Sequence, residues 1–554
     1  MKLSNNLSPE QLLQQSQSLQ QAGRLKEAAL GFEKLQKLYP KFPPILNSLG
    51  VLYLQLGKTK EGCTLLEKSL EIDSKQPIAF LNLGVALRSQ NKLPEALNVF
   101  EKAFKLFPSS FETLNNLGIT LNGLSRHHDA INIYQRAIKI KSEVPDAFNN
   151  LGVSQLALRQ FEDAISSFKE ALKLNPNNPE ILNNLGFSLF KINKFPESID
   201  CYTQAISLNR VYADAYSNRG LSYQAIHKTN EALSDYEECI KLDPNHANGY
   251  WNKSLLKLLI GDFDEGWALY EWRWKSFAKN AVRYFSKPLW LGQTSIKNKT
   301  ILIYPEQGYG DFIQFFRYIP LLKNLGAEII IEARPAIVEL ISSTHPELNI
   351  LEPGNKLQRF DYQCPIMSLP LALKNHFGGI PSLTPYISVR KEKIRQWSYD
   401  LGEKTITRIG LAWSGSLEHQ NDHNRSLSLE ELSPILSLPF EFHSLQKEYR
   451  SNDLEILKQL PIKTHTEKLK NFSDTAALIE SLDLIISVDT SVAHLAGSLN
   501  KKVWIMLPSN PDWRWMLNRS DSLWYPSAKL FRQNKNGDWN NVVKEIADEL
   551  HGTN

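Results

Sequence analysis

At 554 residues the chain exceeds what one ordinary core supports, so two or three domains are expected. Apolar residues make up 42% and charged residues 22%, the balance of a soluble globular protein. The formal net charge of +4 argues against a dedicated nucleic-acid binder and leaves only a local basic patch open. Cys63, Cys201, Cys239 and Cys364 have no CxxC spacing, so reduced thiols of a cytoplasmic protein are expected. The first residues, through Glu10, are polar, and no apolar run reaches membrane-spanning length. Neither a secretion signal nor integral membrane contact is expected.

After a tail over residues 1–8, three columns repeat every 34 residues. Glycine recurs at 50, 84, 118, 152, 186 and 220. Small residues recur at Ala28, Gly62, Ala96, Ala130, Ala164, Ser198, Ala232 and Gly266. Bulky residues recur at Phe32, Leu66, Phe100, Tyr134, Phe168, Tyr202, Tyr236 and Tyr270. Pro40, Pro108, Pro176 and Pro244 close several units. Each unit reads as a helical hairpin. Its small residues let the two helices approach, its aromatic fills the gap to the next unit, and its proline stops the second helix. No hairpin buries its apolar face alone, so the units must stack. These columns resemble the tetratricopeptide repeat family, in about eight units spanning residues 9–280. The resemblance implies a superhelix whose inner face is lined by the first helices. There, two residues before the glycine column, stand Asn82, Asn116, Asn150, Asn184, Asn218 and Asn252. This amide ladder is a candidate clamp for an extended peptide backbone, or a packing feature of the repeats.

Asp262-Phe-Asp264 has the form of an Asp-x-Asp metal signature but falls in the turn of the eighth unit, where turn chemistry accounts for it. Asn252, Asn298, Asn424, Asn471 and Asn518 head Asn-x-Ser/Thr triplets and are not read as glycosylation sites. The eighth unit carries Trp267, Trp272 and Trp274 on its second helix, a surface expected to dock onto the second half.

Residues 281–299, with Pro288 and Gly292, read as a polar connector. Strands and helices then alternate: strand 300–304, helix Asp311–Leu325, strand 328–332, helix Pro335–Ser342, and shorter strands near 348–351 and 361–366. The alternation restarts after residue 400. It runs strand 408–413, helix Ser428–Leu436, strand 441–443, helix 452–459, a strand near Ile462, helix 474–482, strand 483–488, helix 491–499 and strand 502–507. Such alternation implies parallel sheets, in two doubly wound halves over 300–400 and 401–535. Ligands then bind at the carboxyl ends of the strands. An amphipathic helix over 538–550 closes the chain within residues 536–554 and is expected to cross back to the first half.

Three loops lie at such strand ends. Pro305-Glu-Gln-Gly308-Tyr-Gly310-Asp311 offers close backbone approach and positive φ. Ser414-Gly415-Ser416 runs on to His419, His423 and Arg425, where the loop setting disfavours a metal pair. Asp489-Thr490-Ser491-Val-Ala-His494 follows an apolar strand and opens a helix, leaving N–H groups that favour phosphate. A further loop, 508–515, carries Trp513, Arg514 and Trp515, equally suited to stacking on a base or sugar and to core packing.

Gly308-Tyr-Gly-Asp311 with Ile319-Pro320, and Asp489-Thr-Ser-x-x-His494 with Ala496-Gly497, resemble the family that includes the bacterial lipopolysaccharide heptosyltransferases. The resemblance implies the two-Rossmann GT-B fold. With the repeat array in front, the architecture resembles the protein O-linked N-acetylglucosamine transferases. The fold class expected is therefore a helical repeat superhelix followed by an α/β GT-B region. The resemblance further implies Asp311 as general base. It places Asp489, Thr490, Ser491 and His494 at a nucleotide-sugar donor, with Arg425 and Ser414–Ser416 on its diphosphate. Ser491 departs from the family's usual glycine, which puts the local backbone in question.

The residue types suit glycosyl transfer. A base deprotonates the acceptor hydroxyl, and positive charge with N–H dipoles holds the leaving diphosphate. With no Asp-x-Asp pair, a metal-independent transferase is expected, with a nucleoside-diphosphate sugar as substrate, no cofactor, and a protein or peptide in the repeat groove. The rival is a non-catalytic adaptor whose α/β half has kept its fold and lost its chemistry. A third option is a glycan-building enzyme that uses the repeats for assembly. Asp311 also reads as a helix cap, as does Asp489, while His494 also reads as core and Arg425 as a solvated charge.

Overall fold

The structure, a computed structural model, describes residues 8–278, 281–374, 379–416 and 421–552. The chain forms two compact units, residues 1–222 and 223–554. Seven of the eight expected tail residues, 1–7, lie outside the described residues.

Sixteen helices form eight hairpins from Pro9 to Tyr270. In the fully repeated units a 13-residue first helix, such as Pro77–Ser89, precedes a 14-residue second helix, such as Leu93–Leu106. The turn between them holds one residue with positive φ at each period: Gly23, Gly57, Asn91, Ser125, Arg159, Asn193, His227 and Gly261. That residue lets the next N–H reach back to close the first helix, as Lys92 N does to Leu87 O at 3.0 Å.

The glycine column is explained by space. A Cβ on Gly84 would lie 2.4 Å from Phe100 Cζ, and one on Gly152 would lie 2.7 Å from Phe168 Cε1. At Gly84, Gly118, Gly152 and Gly186 the aromatic therefore packs on the glycine of its own hairpin, not in the gap to the next unit as expected from sequence. The ring is fully buried between its two helices.

The eighth unit departs from the pattern. Its second helix, Phe263–Tyr270, is short and gives way to a 3-10 turn, Glu271–Trp274. Only Trp267 of the three tryptophans is on the α-helix and buried, in edge contact with Phe315 and Trp513 at 5.8 and 5.2 Å. Trp272 instead stacks on Tyr250 at 3.8 Å within the repeat. The docking surface is Trp267, Tyr270 and the buried Arg273.

Ten strands follow among the described residues: β1 Thr300–Tyr304, β2 Glu328–Glu332, β3 Asn349–Leu351, β4 Tyr362–Pro365, β5 Arg408–Ala412, β6 Glu441–Ser444, β7 Ile462–Lys463, β8 Leu484–Val488, β9 Val503–Leu507 and β10 Ala528–Arg532. They form two parallel sheets, ordered β3-β2-β1-β4 and β10-β9-β8-β5-β6-β7. Each order reverses beside its first strand, between β1 and β4 and between β5 and β8. Such a crossover opens a crevice at the carboxyl ends, where α/β sheets hold ligands.

Several expected elements come out differently. The helix expected over Asp311–Leu325 breaks into Tyr309–Phe316 and Ile319–Asn324. Pro320 has no N–H and would clash with the carbonyl of Phe316. Ser428–Leu436 reduces to a 3-10 turn and one short helix. The connector is packed rather than loose. Trp290 is fully buried, and its N–H bonds Gln363 O on the outer side of β4 at 2.9 Å. The last helix, Asn540–His551, does not cross back. Val542, Val543, Ile546 and Leu550 join the core of the second sheet.

Candidate functional site

Three loops meet at the carboxyl ends of the strands beside the two crossovers. From β8 the chain enters Asp489 and Thr490, then the helix Ser491–Ser498. Thr490 is the N-cap, its hydroxyl accepting Val492 N at 3.3 Å, so Asp489 is released from capping. Ser491 takes ordinary helical backbone; the missing glycine of the family pattern brings no strain. Among the described residues the N–H groups of Ser491 and Ala493 have no chain acceptor. Arg425 reaches this helix start, its Nη1 donating to Asp489 O at 2.9 Å. The guanidinium passes over Gly415, where a Cβ would lie 2.4 Å from Nη2. So Gly415, Arg425, Asp489, Thr490 and Ser491, scattered over the sequence, share one site.

The donors expected from the second loop have chain partners. Gln446 Oε1 accepts both Trp413 N and Ser414 N, at 2.8 and 2.9 Å, and Gln446 Nε2 donates to Ser414 Oγ at 3.0 Å. Gly415 N donates to Ser426 Oγ at 3.0 Å. Ser416 is at the exposed end of this loop. His419 lies outside the described residues, and His423 belongs to the short helix Asp422–Arg425.

The glycine loop faces the helix Ser491–Ser498 in direct contact. A Cβ on Gly310 would lie 2.8 Å from His494 Cδ2 and 3.4 Å from Ser491 Cα. Neither Gly308 nor Gly310 has positive φ, so close approach, not backbone freedom, explains Gly310. Asp311 Oδ2 accepts Gly308 N at 2.7 Å, and its Oδ1 takes Nη2 of Arg514. His494 is 5% exposed, bonded through Nδ1 to Tyr525 OH at 2.9 Å and stacked on Trp515 at 5.4 Å. Burial, then the charges of Arg514, Arg317 and Arg425, hold its pKa well below the usual imidazole value. It is a neutral packing residue between the two loops. Burial and the neighbouring Asp512 push the Asp489 carboxyl up to about 6.

Residues not singled out for this chemistry complete the arrangement. Arg514, 7% exposed, also bonds Gln314 Oε1 at 2.5 Å and Asp512 Oδ1 at 2.8 Å. Burial opposes its charge, yet Asp512 and Asp311 hold it firmly protonated. Arg317, which caps the helix Tyr309–Phe316, donates to Pro381 O at 3.0 Å and to Trp524 O of the second half at 2.6 Å. Trp513 and Trp515 are 5% and 1% exposed, which makes them core. The glycine loop is anchored from the eighth hairpin: Arg273 Nε and Nη2 bond Glu306 at 2.6 and 2.9 Å, and Gln307 Nε2 donates to Tyr270 OH at 3.2 Å. The sequence offered Arg514 for stacking on a base or sugar, not as a partner of Asp311, and nothing local marked Arg273. A cavity of about 420 Å³ opens at the amino ends of the first sheet, beside Thr300, Glu328 and Asn349, away from this chemistry.

In the repeats, first helices of neighbouring hairpins touch one another. Three ladder asparagines each bond the neighbouring asparagine column of the preceding hairpin. Asn150 Nδ2 donates to Asn115 Oδ1 at 3.4 Å, Asn184 to Asn149 at 3.1 Å and Asn218 to Asn183 at 3.0 Å. Asn116 instead donates to Glu112 O and accepts from Arg88. Asn82 is half-buried, and Asn252, 9% exposed, stands in the second unit. Asp262 accepts Glu265 N at 3.3 Å and caps the short helix.

No helix among the described residues is long and apolar enough to cross a membrane. Residues 43–76, 79–143, 145–178, 167–200 and 213–246 match tetratricopeptide repeat families, and residues 188–226 match a TPR repeat. Protein FlbA of Caulobacter vibrioides is 23% identical over 315 residues, covering 51% of this chain and 52% of that protein. The chain thus spans about half the length of that relative. YrrB, a TPR protein with an unusual peptide-binding site, is 24% identical over 34% of this chain and 98% of its own, with a TM-score of 0.30. A tetratricopeptide repeat protein from Parabacteroides merdae is 16% identical over 45% of this chain and 98% of its own, with a TM-score of 0.38. The N-terminal half of the chain is an array of tetratricopeptide repeats, a protein-interaction module, followed by an α/β region built on two parallel sheets.

Proposed function

We propose that the chain is a metal-independent glycosyltransferase of the cytoplasm. It moves a sugar from a nucleoside-diphosphate donor to a hydroxyl of a protein held by the repeat array. The observation that carries the reading is Arg425 seated on the Asp489 carbonyl at the start of the helix Ser491–Ser498, beside the β5/β8 crossover. A guanidinium, two unsatisfied N–H groups and a helix dipole there suit a departing diphosphate. Asp311, across the contact, is the base in this reading. The ladder amides Asn150, Asn184 and Asn218, whose Nδ2 groups donate to Asn115, Asn149 and Asn183, offer carbonyl oxygens to the N–H groups of an extended peptide.

One observation favours the adaptor instead: both oxygens of Asp311 are engaged, by Gly308 N and Arg514. Thermal-shift measurements with UDP-, GDP- and ADP-sugars separate the two readings. A nucleotide that binds only the folded protein raises its melting temperature by mass action. Stabilisation by one nucleotide class, with transfer lost in Asp311→Asn, supports the transferase. No response to any donor, together with no sugar release, makes the protein an adaptor.

A further inference from the structure

As the chain stands, Asp311 is masked. Arg514 takes Oδ1 and the Gly308 N–H takes Oδ2, so each oxygen already holds a donor and the arginine's charge weakens the carboxylate as a base. The masking arginine stands in the loop after β9, the strand next to β8, whose own loop opens the helix Ser491–Ser498. Its charge is felt by both Asp489 and His494, as is that of Arg425. Two cations therefore flank one helix start, and only Arg425 rests on a backbone carbonyl there. Arg514 is spent on carboxylates, Asp311 and Asp512. Beside it, Gln314 is fully buried and its Nε2 has no acceptor among the described residues. The cluster holds an unused donor next to a cation that an anion would attract.

We propose that the donor's diphosphate displaces Asp311 from Arg514, so that donor binding both recruits Arg514 and exposes the base. The inference rests on the transferase reading. Arginine's fork suits phosphate as well as carboxylate, which makes the exchange a like-for-like replacement. Once free, Asp311 Oδ1 accepts the proton of the acceptor hydroxyl. The hydroxyl oxygen bonds the anomeric carbon, and the anomeric C–O bond breaks with its electron pair leaving on the diphosphate, held by Arg514 and Arg425. Without donor the base stays masked, so the donor must bind first.

The test is calorimetric binding of UDP, GDP, ADP and inorganic pyrophosphate to the full chain, as wild type, Asp311→Asn, Arg514→Gln and the double variant. Asparagine keeps an acceptor for Gly308 N and removes the charge that competes for Arg514. Asp311→Asn is expected to bind at least one probe on the order of tenfold tighter than wild type, because a charge-assisted bond no longer has to be broken. The gain should vanish in the double variant. Should Arg514→Gln not fold, Arg514→Lys, which keeps the charge and loses the fork, takes its place. Binding to Asp311→Asn alone supports the exchange in its strongest form. Equal or weaker binding by Asp311→Asn overturns the exchange and leaves the transferase reading standing. No binding of any probe to any form overturns both.

Discussion

Replacing Arg273 by methionine isolates the contact between the eighth hairpin and the glycine loop. Arg273 is fully buried and gives Nε and Nη2 to Glu306, Nη1 to Glu271 at 2.7 Å and Nη2 to Ser368 Oγ at 2.7 Å. The Glu306 side chain is 3% exposed, and burial pushes its carboxyl up even with the arginine present. Without Arg273 that carboxylate keeps only Met367 N, at 3.2 Å. Removing one partner of a buried pair costs about 3–5 kcal/mol, because the other charge is left uncompensated. Removing both, in Arg273→Met with Glu306→Met, is expected to return most of that loss, since two desolvation penalties disappear together. Urea unfolding followed by tryptophan fluorescence reads the cycle, with Trp267 and Trp513 reporting the junction. The pH dependence gives a second check. A carboxyl whose folded pKa is raised carries no penalty below about pH 4.5, and the penalty grows as pH rises. The single variant should therefore approach wild type in acid and fall away from it at neutral pH. A loss under about 1 kcal/mol at pH 7.5, the scale of an exposed pair, would refute the reasoning. So would a double variant no more stable than the single one.

Gly152→Val drives a side chain into Phe168 Cε1, 2.7 Å from the Cβ position, and should destabilise the array by about 1–3 kcal/mol in thermal melts; an unchanged melt would mean the ring is not seated there. Asp489→Asn should raise stability at pH 7.5 by up to about 3 kcal/mol and leave pH 4 nearly unaffected. The carboxyl at about 6 is protonated in the fold where the unfolded chain has already ionised, so its penalty sets in between pH 3.8 and 6. A destabilised variant at pH 7.5 contradicts this. His443 and His465, 3.0 Å apart, are both held at about 4, chiefly by burial. Depressed imidazoles contribute stability above about pH 6.5 that is lost as pH falls toward 4. His465→Gln should flatten that fall in denaturant titrations at successive pH values, and an identical slope would count against it. Asn184→Ala removes the 3.1 Å bond to Asn149 and should cost about 0.5–1.5 kcal/mol, showing that the ladder holds the array together; no change in melting would leave it a binding feature alone.

The repeats were legible because their constraint is local and recurs. A glycine that admits a ring 16 residues later, and a small residue opposite, reappear each period, so eight weak signals add into one strong one. The strands were legible where an apolar run was bounded by polar loops. β10 was not, since Lys529 and Arg532 interrupt its alternation. That Asp489, Thr490 and Ser491 lie at a strand end beside Arg425 was legible, because the loop after a parallel strand is a local feature with a known place in the sheet.

What tertiary structure alone decided were pairings across long sequence separations. Local pattern cannot say that Arg514 lies on Asp311, that Arg273 lies on Glu306, or that Gln446 takes the N–H of Ser414. Each partner is an unremarkable polar residue in its own segment, and its role arises only when the crossovers bring the loops together. For the same reason His494, legible as a motif, turned out to be sealed. Its chemistry depends on Gly310, Tyr525 and Trp515 around it, and their packing leaves the imidazole buried and neutral.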